Sequence, residues 1–288
     1  MLIPGAANAL AARVAQTAGF DVVMLTGAGL ANSFLGAPDI GLTTQTEVAA
    51  HLEAMREAVS VPIIVDADTG FGNALNTYRT VRVFERAGAD ALQLEDQTFP
   101  KRCGHFDGKH VIPMDEMVGK IKAACDARQH DTLVLARTDA YAQEGLGRAL
   151  ERANAYHEAG ADLLFVEAPL TTEDLARIPR ELPAPHMCNM VYGGKTPMHS
   201  REALAEMGYA GIIYANAALQ ASMLAMESVL RHLREQGSLE GAQEMLVSFA
   251  RRQAHVDFDH YAARERRYSD TSQADGPDSS KSDQRELP

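Results

Sequence analysis

The sequence has only three cysteines, Cys103, Cys125 and Cys188, at unrelated spacings. Neither a disulfide framework nor a zinc motif fits that pattern, so all three are expected as reduced thiols. No run of roughly 18 apolar residues occurs, which argues against a helical membrane span. The opening MLIPGAANALAARV lacks a positive segment ahead of a long apolar one and does not read as a secretory signal. A cytoplasmic location is the expectation. Positive charge is scarce, with 27 Lys and Arg against 39 Asp and Glu and a formal net charge of −12. No stripe of Lys and Arg is interleaved with aromatics, so a nucleic-acid face is not expected. A dinucleotide-binding loop is missing as well, because Thr26-Gly27-Ala28-Gly29 runs on into Leu30-Ala31-Asn32 without a third glycine. That absence weakens a doubly wound open sheet.

What the 288 residues do contain is an alternation of short apolar strands with amphipathic helices. Strands are expected at about 2–4, 22–25, 63–66, 91–95, 133–137, 163–167, 187–190 and 211–214. Eight strand–helix units predict an α/β fold, a (β/α)8 TIM-type barrel with extra C-terminal helices. The repeat Ala-Gly-Ala-Asp at 87–90 and 159–162, varied as Ala18-Gly19-Phe20-Asp21, marks helix ends at which glycine takes the left-handed position. Residues 1–235 read as the catalytic barrel and 236–268 as a helical extension. Within the latter, one helix is expected from Leu239 to about Tyr268. Residues 269–288 hold almost no apolar surface to offset their ordering entropy and are expected to be disordered.

The polar residues are not scattered. Thr26, Asp66, Glu95, Arg137, Glu167 and Asn189 all fall at the C-terminal ends of different predicted strands, the face on which barrel enzymes carry their chemistry. Asp66 and Asp68, two apart, can share a face, and Glu95 ends the neighbouring strand. Crowded carboxylates repel unless a cation neutralises them, and Mg²⁺ is held by one or two carboxylates while keeping several waters. The alternative is that Asp68-Thr69-Gly70 is a plain turn and Glu95-Asp96 a solvated edge.

Six stretches carry a family resemblance: LGAPDIG at 35–41, VDADTGFG at 65–72, LEDQ at 94–97, KRCGH at 101–105, ARTDA at 136–140 and FVEAP at 165–169. Together they resemble the isocitrate lyase/phosphoenolpyruvate mutase superfamily over most of residues 1–235. The thiol-bearing KRCGH loop is similar to that of the carbon–carbon lyases in this group, of the 2-methylisocitrate and 2,3-dimethylmalate lyase type, because phosphonate mutases generally lack that cysteine.

The resemblance implies cleavage of a 2-hydroxy di- or tricarboxylate to pyruvate or a related 2-oxo acid plus a second acid, through an enolate bound to Mg²⁺, with Mn²⁺ as the alternative ion. It implies Asp66 as a direct metal ligand, with Asp68 and Glu95 acting largely through water. Cys103 would protonate the departing carbanion, with Lys101 and His105 tuning it and binding carboxylate. Arg137 would grip an enolate or carboxylate oxygen, unless it merely pairs with Asp139. Glu167 joins this catalytic set. Thr26, Gly27 and Ala28 would hold the pyruvyl carboxylate, and Asp39, Gly104, Asn189, Gly193 and Gly194 complete the substrate site. Cys125 and Cys188 read as small core residues.

Met24 departs from the aromatic residue of isocitrate-type lyases, Asn8 stands where many members have Asp, and Tyr192 replaces a frequent acidic residue. These departures lean the substrate away from 2-methylisocitrate alone. Oxaloacetate decarboxylation is the competing reaction. Phosphonate-forming mutase chemistry, such as that of a carboxyvinyl-carboxyphosphonate phosphorylmutase, is opposed by Cys103. The resemblance further implies a homo-oligomer, expected as a tetramer, in which the helix after strand eight exchanges between subunits.

Overall fold

The structure, a computed structural model, describes residues 1–269. The tail expected at 269–288 lies outside them except for Ser269. Within the described residues the chain divides into Met1–Met245 and a smaller unit beginning at Leu246. The first runs past the boundary expected at 235.

That first unit is a closed barrel of eight parallel strands in sequential order: β1 (Leu2–Ala6), β2 (Val23–Leu25), β3 (Ile63–Asp66), β4 (Ala91–Glu95), β5 (Leu133–Thr138), β6 (Leu163–Val166), β7 (His186–Asn189) and β8 (Gly211–Tyr214). Pairing of Leu2 with Ile212 closes β8 onto β1. Between the strands run α1 (Ala9–Thr17), a short α2 (Gly27–Leu30) continuing as a π turn, α3 (Gln45–Ala58), α4 (Ala74–Ala87), α5 (Met114–Ala127), α6 (Tyr141–Glu158), α7 (Thr172–Glu181) and α8 (Arg201–Met207). After β8 comes α9 (Ala217–Gln236). No described helix is long and apolar enough to cross a membrane.

Strand alternation splits the core into two layers. Val23, Leu25, Val65, Val134, Ala136, Leu164 and Val166 face the helices. Ile3, Met24, Ile64, Ala91, Leu135, Phe165, Met187 and Ile213 point inward and fill the barrel. Burying such side chains contributes roughly 1.5–3 kcal/mol each, so both layers hold the strands in register. The repeated glycines perform as read: Gly88 caps α4 at φ +99°, and Gly160 follows α6 at φ +114°.

The single helix expected from Leu239 to Tyr268 is absent. A 3₁₀ turn at Gln243–Met245 is followed, in the second unit, by α10 (Phe249–His255) and α11 (Phe258–Ser269). Ser248 caps α10 by accepting a hydrogen bond from the Arg251 amide, and Asp257 at φ +59° separates α10 from α11. A short polar side chain that bonds its own backbone starts a new helix more readily than it continues an old one.

Candidate active site

The inward layer dictates the site. Stepping two residues along a strand from an inward apolar residue reaches the same face at the C-terminal rim, and there the side chain is polar: Met24 to Thr26, Ile64 to Asp66, Leu135 to Arg137, Phe165 to Glu167 and Met187 to Asn189. One cavity is lined by Thr26, Ala28, Asp39, Asp66, Cys103, Gly104, His105, Arg137, Glu167 and Asn189. Met24, Phe165, Ile213 and Ala215 form its apolar wall.

Of the three carboxylates expected around a metal, only Asp66 lines the cavity. Its Oδ1 accepts from the Asp68 amide and from Gln93 Nε2, each at 3.2 Å, and its Oδ2 from the Gly27 amide at 3.2 Å. The Gly27 amide, expected at a substrate carboxylate, here donates to Asp66. Thr26 Oγ1 accepts from the Gly29 amide at 2.9 Å, which leaves its proton free to donate. Asp68, in a left-handed conformation at φ +47°, faces Lys101 Nζ at 2.7 Å, and the same ammonium donates to Asp39 Oδ1 at 2.6 Å. Burial pushes the Asp68 carboxyl up to about 6; Lys101 opposes that shift, while Asp66 and Asp39 add to it. Burial also drives Glu95 well above the usual range against the pull of Arg137, and its Oε1 has no hydrogen-bond partner.

Lys101, expected to tune the thiol and bind carboxylate, is engaged by Asp39 and Asp68. Burial alone would lower its pKa, but the carboxylates of Asp68, Asp66, Glu95 and Asp39 hold it well above the ordinary value. It is a fixed positive charge among acids.

The thiol loop lies across the rim. The Cys103 amide donates to the Asp39 carbonyl at 3.0 Å, and burial raises the thiol above its ordinary value, so it is protonated at neutral pH. His105 Nδ1 accepts from the Lys195 amide at 3.0 Å, which puts the ring proton of the neutral form on Nε2, 3.2 Å from Glu167 Oε1. That approach is not aligned as a hydrogen bond, and both Glu167 oxygens lack one. Burial lowers the His105 pKa, with Glu167 opposing it and Arg137 assisting. Arg137 reaches Asp139 through two bonds of 2.9 and 3.0 Å, Glu95 at 3.3 Å and Glu167 at 3.5 Å. The pairing with Asp139 and the position on the cavity are both real, so neither sequence reading of Arg137 excludes the other. A Cβ on Gly104 would collide with the Arg137 guanidinium and the Glu167 carboxylate.

The phosphoenolpyruvate phosphomutase family model matches residues 1–234. The chain belongs to that family. A 2,3-dimethylmalate lyase of Eubacterium barkeri is 45% identical over 251 residues, covering 87% of each chain. A carboxyvinyl-carboxyphosphonate phosphorylmutase of Arabidopsis thaliana is 43% identical, over 96% of this chain and 83% of that protein. Further relatives at 38–44% identity are named 2-methylisocitrate lyases. A solved phosphonopyruvate hydrolase holding oxalate and Mg²⁺ has a TM-score of 0.84 and 30% identity, over 93% of this chain and 94% of that one. This phosphoenolpyruvate phosphomutase family member is thus an enzyme, and its lyase relatives support carbon–carbon cleavage of a hydroxy carboxylate.

In this family member some sequence-predicted residues stand apart. Gly193 is exposed and outside the cavity lining, because the chain turns outward after β7; Gly194 meets the site only by packing against His105. Asn8 is exposed and caps α1 by accepting from the Ala11 amide at 2.9 Å, so it does not report on substrate. Sequence reasoning missed Gln93 and Asn216, which line the cavity, and the buried pair Lys109 and Asp139. Gln93 was legible, two residues before Glu95 on one strand face. Lys109 was not, since a lysine in the polar stretch Phe106-Asp107-Gly108-Lys109 reads as solvated.

Proposed function

We propose that the chain cleaves a substituted malate, a 2-hydroxy dicarboxylate, to pyruvate or a related 2-oxo acid plus a second carboxylic acid. The observation that carries this reading is the Cys103 thiol on the same cavity as Asp66, Arg137 and an apolar wall, with burial favouring its acid form. The substrate hydroxyl passes its proton to Glu167, whose buried oxygens line the cavity without a hydrogen bond of their own, and the bond between C2 and C3 breaks with its electron pair staying on C3. Cys103 delivers a proton to that carbon. Arg137, stacked 5.5 Å over the Phe165 ring, holds a carboxylate or the developing oxyanion. Met24, Phe165, Ile213 and Ala215 accommodate alkyl substituents. Among the described residues Arg137 is the one Arg or Lys lining the cavity, which suits a dicarboxylate better than a tricarboxylate.

A divalent metal fits the residues present. Asp66 presents a buried carboxylate, Glu95 Oε1 is buried and unpartnered, and among the described residues no three acidic, His or Cys side chains form a complete ligand set. Carboxylate oxygens of this kind suit a hard cation such as Mg²⁺, with Mn²⁺ as the alternative ion. When bound, the cation polarises the oxygens of the 2-hydroxy acid. Asp66 would hold it directly, with Asp68 and Glu95 acting through water.

The test is pyruvate release, coupled to a reductase, across alkyl-substituted malates, methylisocitrate and oxaloacetate with Mg²⁺. An alkyl malate turned over with the highest kcat/KM supports the proposal. Oxaloacetate as the best substrate overturns it in favour of decarboxylation.

The proposal includes a cytoplasmic enzyme, in keeping with cysteines free of disulfides, and a homo-oligomer, tetrameric through exchange of α9. No residue of α9 is buried, although it carries Met223, Leu224, Met226 and Leu230, with Leu224 66% and Leu230 62% exposed. An apolar stripe of that kind marks a protein contact. Light scattering at micromolar concentration should give a multiple of the 31.1 kDa chain mass, and a monomeric mass would contradict it.

A further inference from the structure

The thiol loop is a closed excursion with its own fastening. At its base, the Thr98 amide donates to the His110 carbonyl at 2.8 Å, and Gln97 bridges Val111. Inside it the Phe106 amide returns to the Cys103 carbonyl at 2.9 Å, and Gly108 takes a left-handed φ of +75°. These turns fold the excursion back on itself and bring Lys109 beneath Gly104. Lys109 is 4% exposed, and its ammonium donates to the Gly104 carbonyl and to Asp139 Oδ1, the latter at 2.8 Å.

We infer that Lys109 is the latch that holds the Cys103-Gly104-His105 loop closed over the site, with Asp139 as the post it fastens to. Asp139 is rigid. Its carboxylate takes two bonds from Arg137, and its amide donates to Asp96 Oδ1 at 2.8 Å. Asp96 is in turn held by the Thr138 hydroxyl at 2.7 Å and the Tyr156 hydroxyl at 2.8 Å. On the loop side the carbonyl that Lys109 holds belongs to the residue between the thiol and the imidazole, so one ammonium sets the position of both. Lys101 with Asp39 and Asp68, and the Cys103 amide on the Asp39 carbonyl, fasten the start of the loop; beyond the thiol, Lys195 with Asp107 contributes far less than Lys109 because Asp107 is 96% exposed. With Lys109 removed, closing the loop buries the Gly104 carbonyl without a donor and leaves Asp139 with one cation fewer. Lys109 touches none of the reacting atoms; it is a positioning residue.

The inference rests on the reading of this loop as part of the active site, and its test is separable from that reading. In the substrate-free enzyme, maleimide labelling of Cys103 is followed residue by residue by mass spectrometry, with half-buried Cys125 as internal control. Lys109→Met should label Cys103 about 10- to 100-fold faster, the usual worth of a charged hydrogen bond, with Cys125 unchanged. Its kcat should fall, and Lys109→Arg should recover part of both effects. Should the Met variant fail to fold, Lys109→Gln, which keeps a donor for Gly104 without the charge, should shift labelling in the same direction by less. Unchanged Cys103 labelling in a folded variant overturns the latch, as does a parallel rise at Cys125. Faster labelling at Cys103 in an enzyme that cleaves no hydroxy acid would sink the proposed reaction and leave the latch standing.

Discussion

Cys103→Ala should lower kcat by about 10²–10⁴-fold, the usual worth of a positioned general acid, with little change in substrate binding. Cleaving a substituted malate leaves a carbanion whose only neighbouring stabiliser is an already ionised carboxylate. It is strongly basic and needs its proton as the bond breaks. Decarboxylation of oxaloacetate leaves the enolate of a ketone instead, which can wait for a proton from water. The two reactions therefore differ in their dependence on the thiol. Burial raises the Cys103 pKa, so the acid form persists through neutral pH and is lost as pH rises past the ordinary thiol value of 9. The alkaline limb of the kcat profile of the native enzyme should lie above that value and should vanish in Cys103→Ala. A variant with near-native turnover would remove the thiol from the mechanism, and with oxaloacetate as the best substrate the lyase reading would go with it.

Much of this was legible in the sequence because two periodicities coincide. Inward-facing apolar residues recur every second position on each strand, and the next inward position beyond them falls on the rim. Asp66, Arg137, Glu167 and Asn189 could thus be placed on one face before any coordinates. The strands expected at 63–66, 91–95 and 211–214 match β3, β4 and β8 residue for residue. The remainder depends on which cation meets which anion in three dimensions, and local pattern does not carry that. The KRCGH loop reads as locally positive, yet the Lys101 charge is taken up by Asp39 and Asp68, a buried acidic pair that would otherwise be unneutralised. Lys109 reads as a surface residue and is nearly fully buried, because its partner Asp139 follows directly on β5 rather than coming from its own loop. The break after Leu239 was hidden for a different reason: a run rich in helix formers keeps its propensity across a cap, and only Ser248 signalled the new start.

Asp66→Asn should abolish metal-dependent turnover while leaving the barrel folded. Alanine is the poorer test at this position. Asp66 accepts from the Gly27 amide, the Asp68 amide and Gln93 Nε2, and alanine would strand three buried donors at roughly 1–3 kcal/mol each. Asparagine keeps a carbonyl oxygen for part of that set and removes the charge, which is the property a hard cation selects. It also relieves repulsion with Asp68, whose carboxyl Asp66 helps to raise. In metal-free protein the melting temperature should consequently stay within about 2–4 °C of the native value or rise, a change of no more than about 1 kcal/mol. Loss of a Lewis acid worth several kcal/mol in the transition state corresponds to a drop in kcat/KM of about 10³-fold or more. Chelation of the native enzyme should reproduce that loss, and added Mg²⁺ should restore native enzyme but not Asp66→Asn. Direct titration provides the control: native protein should bind Mg²⁺ and the variant should not, at matched fold and matched melting temperature. Full turnover of the native enzyme in excess chelator would show that the acidic rim works through Lys101 alone, as a neutralised structural cluster, and the metal would leave the mechanism.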